Sequence, residues 1–386
     1  MKIAFVISCI NSKSEGGGGH YYSLLETVFQ VSKKHETLII SIGNIKPKVL
    51  DIYNGKLYNL NLNKNINRPL RGLSKIVKKE GVDVLHAFDD LAFFWTRTVS
   101  YQEKIKSCLT KCGGRNPKFY YPISNSLINF SKENYSYFKT KKKFASSKLF
   151  FVPNRLRAFN SDEERILSLY KELPVEIQNS FKFLRISRLG KYYQKSAEQL
   201  IRLVKKLRSD NINSCVIFVG KIESLEVYEE LKILGQDCVF FFTSDEYTSD
   251  AKELIDVSDA VLGTGRSFME ASSKGKILFA PSLDADIPVL INKDNFEEAF
   301  FFNFSERISF SNLDLGSNYN QLKNLIFDAQ LKKQYATFSY SLFKQYFDSD
   351  LLADKMTYIY KVCSVEKRNY MDLFLHRTFL LRKLYI

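Results

Sequence analysis

Residues 181–220, FKFLRISRLGKYYQKSAEQLIRLVKKLRSDNINSCVIFVG, decide the fold class. FKFLRIS is a short, nearly continuous apolar run and reads as a buried strand. KSAEQLIRLVKKLRSD reads as a helix, and SCVIFVG as the next strand. A strand, a helix of more than ten residues and a second strand form a βαβ unit, which implies a parallel sheet. Toward the C-terminus the alternation continues through helix SLEVYEELKILG, strand CVFFF, helix EYTSDAKELIDVS, strand DAVLG, helix RSFMEASSKG and strands KILFA and IPVLI. From about residue 317 the chain reads as helical.

The N-terminal half repeats the alternation. KIAFVISCI, HETLIISIG, VDVLHAF, KSCLT, SLINFS and KLFFVPN read as strands, with helices HYYSLLETVFQVSKK, LRGLSKIVKKEG, LAFFWTRTVSYQEK and ENYSYFKTKKK between them. SDEERILSLYKEL reads as a further helix, with Ser161 as N-cap and Glu164 three residues on. PVEIQNS reads as a linker. The expected architecture is α/β: two doubly wound domains, 1–175 and 181–345, and a helical tail, 346–386, that packs back on the first domain or lies on a membrane surface.

Composition narrows the function. The 386 residues are 45% hydrophobic and 26% charged, which excludes a disordered chain, and no uncharged run is long enough for a membrane span. The opening apolar run is too short for a signal peptide and reads as the first strand, so the expected compartment is the cytosol. Six scattered cysteines and four histidines offer no CxxC and no cluster, so neither disulfides nor a metal site is expected. The net charge is +15, and residues 1–180 hold 29 Lys and Arg against 15 Asp and Glu, while 181–386 hold 28 against 27. Either the basic half meets an acidic partner or these are solvated surface lysines. No nucleic-acid motif accompanies the charge, so no nucleic-acid partner is expected.

In doubly wound sheets ligands bind beyond the carboxyl ends of the strands. After the first strand, Gly16, Gly17, Gly18 and Gly19 lead into a helix at His20; the loop suits a phosphate or a sugar, or is a plain turn. His86 ends a strand, as a substrate contact or base, or as a hydrogen-bonded structural histidine. TKCGGRNP is a further glycine loop after a strand. Arg188 follows FKFLRIS and Lys195 starts the next helix; together they suit a diphosphate, singly they are solvated charges. In DAVLGTGRSFMEASSKGKILFAP, Gly263 and Gly265 allow close approach to the backbone, and Arg266 and Ser267 open a helix whose N-terminus favours an anion. Glu270, one turn in, can accept hydrogen bonds from the vicinal hydroxyls of a ribose, or complements the helix dipole.

Together these segments resemble the retaining GT-B glycosyltransferases of glycosyltransferase family 4, from about residue 1 to 345 and most closely over 181–281. FLRISRLGKYYQKSAEQLIRLVKKL is similar to the family's Gly-Arg-Leu…Lys-Gly segment, with Ser187 and Ser196 at its glycine positions. FFVPN resembles its Val-Pro-Asn, GGGGHYY its N-terminal glycine loop, and LGTGRSFMEASSKGKILFAP its Glu-x7-Glu donor motif. The resemblance implies two Rossmann-like domains facing across a cleft, and transfer from a nucleotide-sugar without bound metal or other cofactor. Arg188 and Lys195 would hold the donor diphosphate and Glu270 the ribose. Gly263 and Gly265 match the glycines between the two glutamates, but the first glutamate is replaced by Leu262.

The resemblance also implies a saccharide or lipid-linked acceptor on the first domain; Gly17, Gly18, Gly19 and His20 of the glycine loop, and His86 at its strand end, are the expected cleft residues. A bacterial surface polysaccharide pathway is the expected setting. The basic half suggests peripheral binding to the anionic inner face of the plasma membrane. The competing readings are a nucleotide-sugar 2-epimerase on the same fold and, given Leu262, a non-catalytic sugar-nucleotide-binding relative.

Overall fold

The computed structural model describes residues 1–10, 19–45, 47–63, 65–311 and 313–385. The chain divides into two compact units, one formed by Met1–Arg157 with Asp348–Ile386 and the other by Ala158–Phe347.

The first unit is built on strands β1 (Lys2–Cys9), β2 (Glu36–Gly43), β3 (Lys56–Leu60), β4 (Val84–Ala87), β5 (Lys106–Lys111), β6 (Ser126–Asn129) and β7 (Lys148–Phe151). Their spatial order is β3-β2-β1-β4-β5-β6-β7, and each adjacent pair runs parallel. β1 is buried from Ile3 to Cys9, as a central parallel strand covered on both faces must be. The sequence reading misses β3, KLYNL, an edge strand whose residues stay partly or fully exposed. Helix Asn67–Glu80 buries Leu73 and Val77 one turn apart and ends at Gly81, whose φ of 64° supplies the left-handed cap.

The second unit holds β8 (Phe181–Ile186), β9 (Ser214–Val219), β10 (Val239–Phe242), β11 (Ala260–Leu262), β12 (Ile277–Ala280) and β13 (Val289–Leu290), in the order β10-β9-β8-β11-β12-β13. β13 alone is antiparallel, to β12. Helix Gln194–Ser209 crosses from β8 to β9 and buries Ala197, Leu200, Ile201, Val204 and Leu207 as one stripe. EYTSDAKELIDVS, read as one helix, breaks at Asp250, which adopts φ 46° between a short helix and a 3₁₀ turn.

Two boundaries differ from the sequence reading. Residues 158–175 belong to the second unit: Asp162 N–H donates to Glu253 O (3.2 Å) and Arg165 pairs with Glu253 (3.1 Å). Asp162, not Ser161, caps helix Glu163–Glu172, accepting from Arg165 N–H at 3.1 Å. The tail returns to the first unit: β14 (Ser364–Val365) pairs antiparallel with β5. Helix Tyr370–Tyr385 is anchored by the buried Arg97–Asp372 pair at 2.7 Å. Among the described residues no helix is long and apolar enough to cross a membrane.

Candidate functional site

Each sheet has one place where the strand order reverses, so that the connecting helices leave to opposite faces and the loops splay apart. In the second unit that place lies between β8 and β11. The loop after β8 carries Arg188 and leads to Lys195; the loop after β11 is Gly263-Thr264-Gly265. The sequence-predicted donor residues therefore sit at the carboxyl ends of two neighbouring strands.

Both glycines of the second loop are required. A Cβ on Gly263 would lie 2.4 Å from Phe268 Cα. Gly265 holds φ 52° and ψ −116°, a region that strains any residue with a Cβ. Helix Arg266–Ser273 starts directly after it. Ser267 Oγ is engaged within the loop, accepting from Thr264 N–H (3.0 Å) and donating to Thr264 O (3.1 Å). Arg266 Nε donates to Glu270 Oε1 at 2.7 Å, and Glu270 is buried. Burial raises its carboxyl pKa, against the pull of Arg266 and Lys252. A carboxylate with one oxygen held in place keeps acceptor capacity for hydroxyl groups.

Arg188 and Lys195 have exposed side chains with modest partners. Arg188 Nη1 meets Glu223 Oε1 at 2.8 Å, with both groups about half exposed, and Lys195 Nζ donates to Leu283 O. An exposed pair of this kind contributes about 0–1 kcal/mol, so an anion can displace it at little cost.

Beneath them lies a network that the sequence reading overlooked. Arg185 on β8 is wholly buried. Its Nη1 donates to Leu262 O (3.0 Å), and its Nη2 donates to Ser196 Oγ (2.8 Å) and Glu306 Oε1 (3.1 Å). The Arg185 and Arg188 guanidinium carbons lie 5.6 and 5.8 Å from the centre of the Tyr193 ring. Burial raises the Glu306 carboxyl, while Arg185, Ser196 and Lys195 hold it down. The available signal was a lone arginine in a strand otherwise read as buried. Leu262 is itself fully buried, and its carbonyl joins this network.

In the first unit the order reverses between β1 and β4. A cavity of about 360 Å³ opens there, lined by His20, Asp89, Asp90, Lys111, the Gly113–Gly114 turn and Tyr121 among others. Asp89 is structural: it accepts from Ser8 N–H and Ala92 N–H, both at 2.7 Å, and so joins β1 to helix Asp90–Glu103. Burial, reinforced by Asp89, raises the Asp90 carboxyl to about 6, with Lys111 opposing. Burial lowers His20 to about 4. Gly19 opens helix Gly19–Ser32. Gly17 and Gly18 lie outside the described residues.

His86 does not line this cavity. It is fully buried within the sheet, its Nδ1 2.9 Å from Tyr360 Oη and its Nε2 2.7 Å from Thr110 Oγ1. Both ring nitrogens are satisfied by hydroxyls, and burial lowers its pKa to about 3. The expectation of a cleft histidine is corrected to a neutral core histidine. Asp90, Lys111 and Tyr121 take its place at the cavity wall. Among the described residues no three His, Cys, Asp or Glu side chains group to hold a metal ion.

No protein-family model and no curated protein sequence matches the chain. Solved structures do resemble it. A glycosyltransferase from Rickettsia africae superposes with a TM-score of 0.71 at 17% identity, over 93% of this chain and 97% of that one. Anabaena HepE in complex with UDP-glucose gives 0.66 at 14% identity, over 93% and 98%. A putative UDP-N-acetylglucosamine 2-epimerase from Listeria monocytogenes gives 0.52 at 12% identity, over 94% and 96%. The two Rossmann-like units and the helical C-terminal region of this chain have the GT-B fold.

Proposed function

We propose that the protein transfers a hexosyl group from a nucleotide-sugar to a saccharide or lipid-linked acceptor, with retention at the anomeric carbon and without a metal ion, in the assembly of a bacterial surface polysaccharide. The observation that carries this reading is the loop after β11. Two obligatory glycines there bring the N-terminus of helix Arg266–Ser273 to the strand-order reversal, with Glu270 buried one turn inside. The likeness to HepE in complex with UDP-glucose adds support.

On this reading Glu270 accepts hydrogen bonds from the ribose hydroxyls, and the loop amides and helix N-terminus face phosphate oxygens. Arg188 exchanges its partner Glu223 for the diphosphate, and Lys195 joins it. Negative charge grows on the diphosphate as the glycosidic C–O bond breaks, and two cations already in place stabilise that growth. The acceptor occupies the cavity of the first unit, where Asp90 and Lys111 orient its hydroxyl or its own charged group. With retention, the acceptor oxygen attacks the face that the leaving diphosphate vacates and passes its proton to a departing phosphate oxygen.

The test is a thermal-shift screen with UDP-, GDP-, CMP- and dTDP-sugars and the parent nucleotides, on wild type and Glu270→Ala. A nucleotide that binds the native state raises the melting temperature by mass action. The expected result is one nucleotide class that stabilises wild type and not the variant. No stabilisation by any of them would overturn the donor site. The likeness to the Listeria structure favours epimerisation as the second reading. Analysis of the products separates the two, since an epimerase releases an altered nucleotide-sugar with no acceptor present.

A further inference from the structure

Helix Tyr370–Tyr385 buries one face in its own unit and presents large apolar side chains on the opposite one. The inner face is the row Asp372, His376 and Leu380, each buried. Asp372 pairs with Arg97, His376 Nε2 lies 2.7 Å from Asp90 O, and Leu380 enters the core. The outer face presents Tyr370, Met371 and Phe374, which are 67%, 70% and 64% exposed. Large apolar side chains grouped in solvent mark a surface that meets something else.

A second segment with an exposed aromatic packs against the same helix, on the side of Asp372 and Phe379. Phe119 is 73% exposed. Its neighbour Tyr120 stacks on Phe379 of the helix with ring centroids 4.6 Å apart. Lys143 clamps the two segments together, donating to Phe119 O (2.7 Å) and Tyr121 O (2.6 Å) and pairing with Asp372 (3.2 Å). The exposed charges on these segments and those next to them in sequence have one sign. Lys118, Lys141, Lys142, Arg377 and Arg382 are exposed. The only acids in residues 105–161 and 367–385 are Glu133 and Asp372, and both are buried.

We propose that this face docks on an anionic lipid bilayer. Exposed aromatic and Met side chains beside cations match the two layers of a membrane interface, acyl chain below and anionic headgroup above. A duplex nucleic acid would pair with the cations through its phosphates but offers no apolar layer to Phe119, Met371 and Phe374. The face adjoins the cavity of the first unit, because Tyr121 lines that cavity and His376 holds the Asp90 carbonyl. A lipid-borne acceptor would reach the cavity from the bilayer. The docking itself does not depend on glycosyl transfer.

The test is co-sedimentation of the full chain with vesicles of phosphatidylcholine alone and of equimolar phosphatidylcholine and phosphatidylglycerol, at low and high salt, with no donor present. Wild type is expected to bind the mixed vesicles and to lose that binding on removal of the anionic lipid. Phe119→Ser with Phe374→Ser, and separately Lys141→Glu with Lys142→Glu, should each weaken the partition about tenfold or more. Circular dichroism and Trp95 fluorescence confirm that the variants fold. Three outcomes would overturn the proposal: no binding to the mixed vesicles, binding that both double variants leave unchanged, or a concentration-dependent dimer that Phe119→Ser with Phe374→Ser abolishes while wild type ignores vesicles.

Discussion

Replacing His86 by Gln distinguishes a core histidine from a cleft histidine by the pH dependence of stability. The imidazole is sealed inside the sheet with both nitrogens bonded, and burial holds its pKa near 3 instead of 6.5. In the unfolded chain it titrates near its ordinary value, about 6.5. Below that pH the unfolded state takes up a proton that the folded state refuses, so stability falls as the pH falls. Each pH unit costs about 1.4 kcal/mol per refused proton. Between pH 7 and pH 5 the loss through His86 is about 2 kcal/mol, and it continues until the folded state protonates near pH 3. Gln offers a donor and an acceptor to Tyr360 and Thr110 and is neutral throughout.

Other groups in the unit act alike in both proteins and cancel in the comparison. His376, lowered to about 3, also loses stability on acidification. Asp90 and Glu366, raised by burial to about 6 and about 7, regain stability as they protonate. Trp95, the only tryptophan, is fully buried in the same unit, its Nε1 donating to Ile66 O at 2.8 Å. Urea unfolding followed by its fluorescence therefore reports the unit that holds His86. From pH 7 to pH 5, wild type should lose about 2 kcal/mol more than His86→Gln. Parallel pH profiles would refute the assignment of a buried, neutral imidazole.

Three further outcomes test the second unit. Arg188→Ala with Lys195→Ala should leave the urea midpoint almost unchanged, because the Arg188–Glu223 pair is half exposed, yet cut transfer by about 100-fold or more. Unchanged turnover would remove both from the proposed mechanism. Glu306→Ala strands the buried Arg185 guanidinium and should cost about 3 kcal/mol in urea unfolding followed by circular dichroism; adding Arg185→Met should recover most of that loss. A cost no larger than that of an exposed pair would mean that the network supports nothing. Gly265→Ala forces a side chain into φ 52°, ψ −116° and should destabilise the unit by about 1–3 kcal/mol; an unchanged midpoint would show that the loop has an alternative path.

The strand–helix alternation was legible because buried parallel strands are continuous apolar runs, and β1 and β9 are buried along almost their whole length. The edge strand β3, with its polar and exposed residues, carries no such signature. The loop after β11 was legible because its demands are local: a glycine where a Cβ would strike Phe268, and another where φ is positive. His86 misled because the end of a strand is where cleft residues stand, and only the fold brings Tyr360, 274 residues away, onto its ring. The cavity wall was half visible as the loop TKCGGRNP, but that Asp90 faces Lys111 across it depends on the β4–β5 pairing.

Leu262 shows the same limit from the other side. Read along the chain, it removes a carboxylate from the position where the resemblance expects one. In space a carboxylate arrives by another route. Glu306 lies 44 residues downstream and meets Arg185 Nη2, while Nη1 of the same guanidinium holds the Leu262 carbonyl. One buried cation thus links the backbone at 262 to an acid that no local motif predicts. Ser196 and a backbone carbonyl take two further donors of the buried guanidinium, while its Nε has no hydrogen-bond partner among the described residues. The sequence motif records which residue occupies position 262, whereas the local electrostatics depend on what the fold delivers beside it. If Glu306→Ala loses donor binding as well as stability while Glu306→Gln retains the fold and loses only turnover, the charge at Glu306 serves the reaction. If both variants bind and turn over as wild type does, its charge serves Arg185 alone, and Leu262 marks a site that works without a carboxylate there.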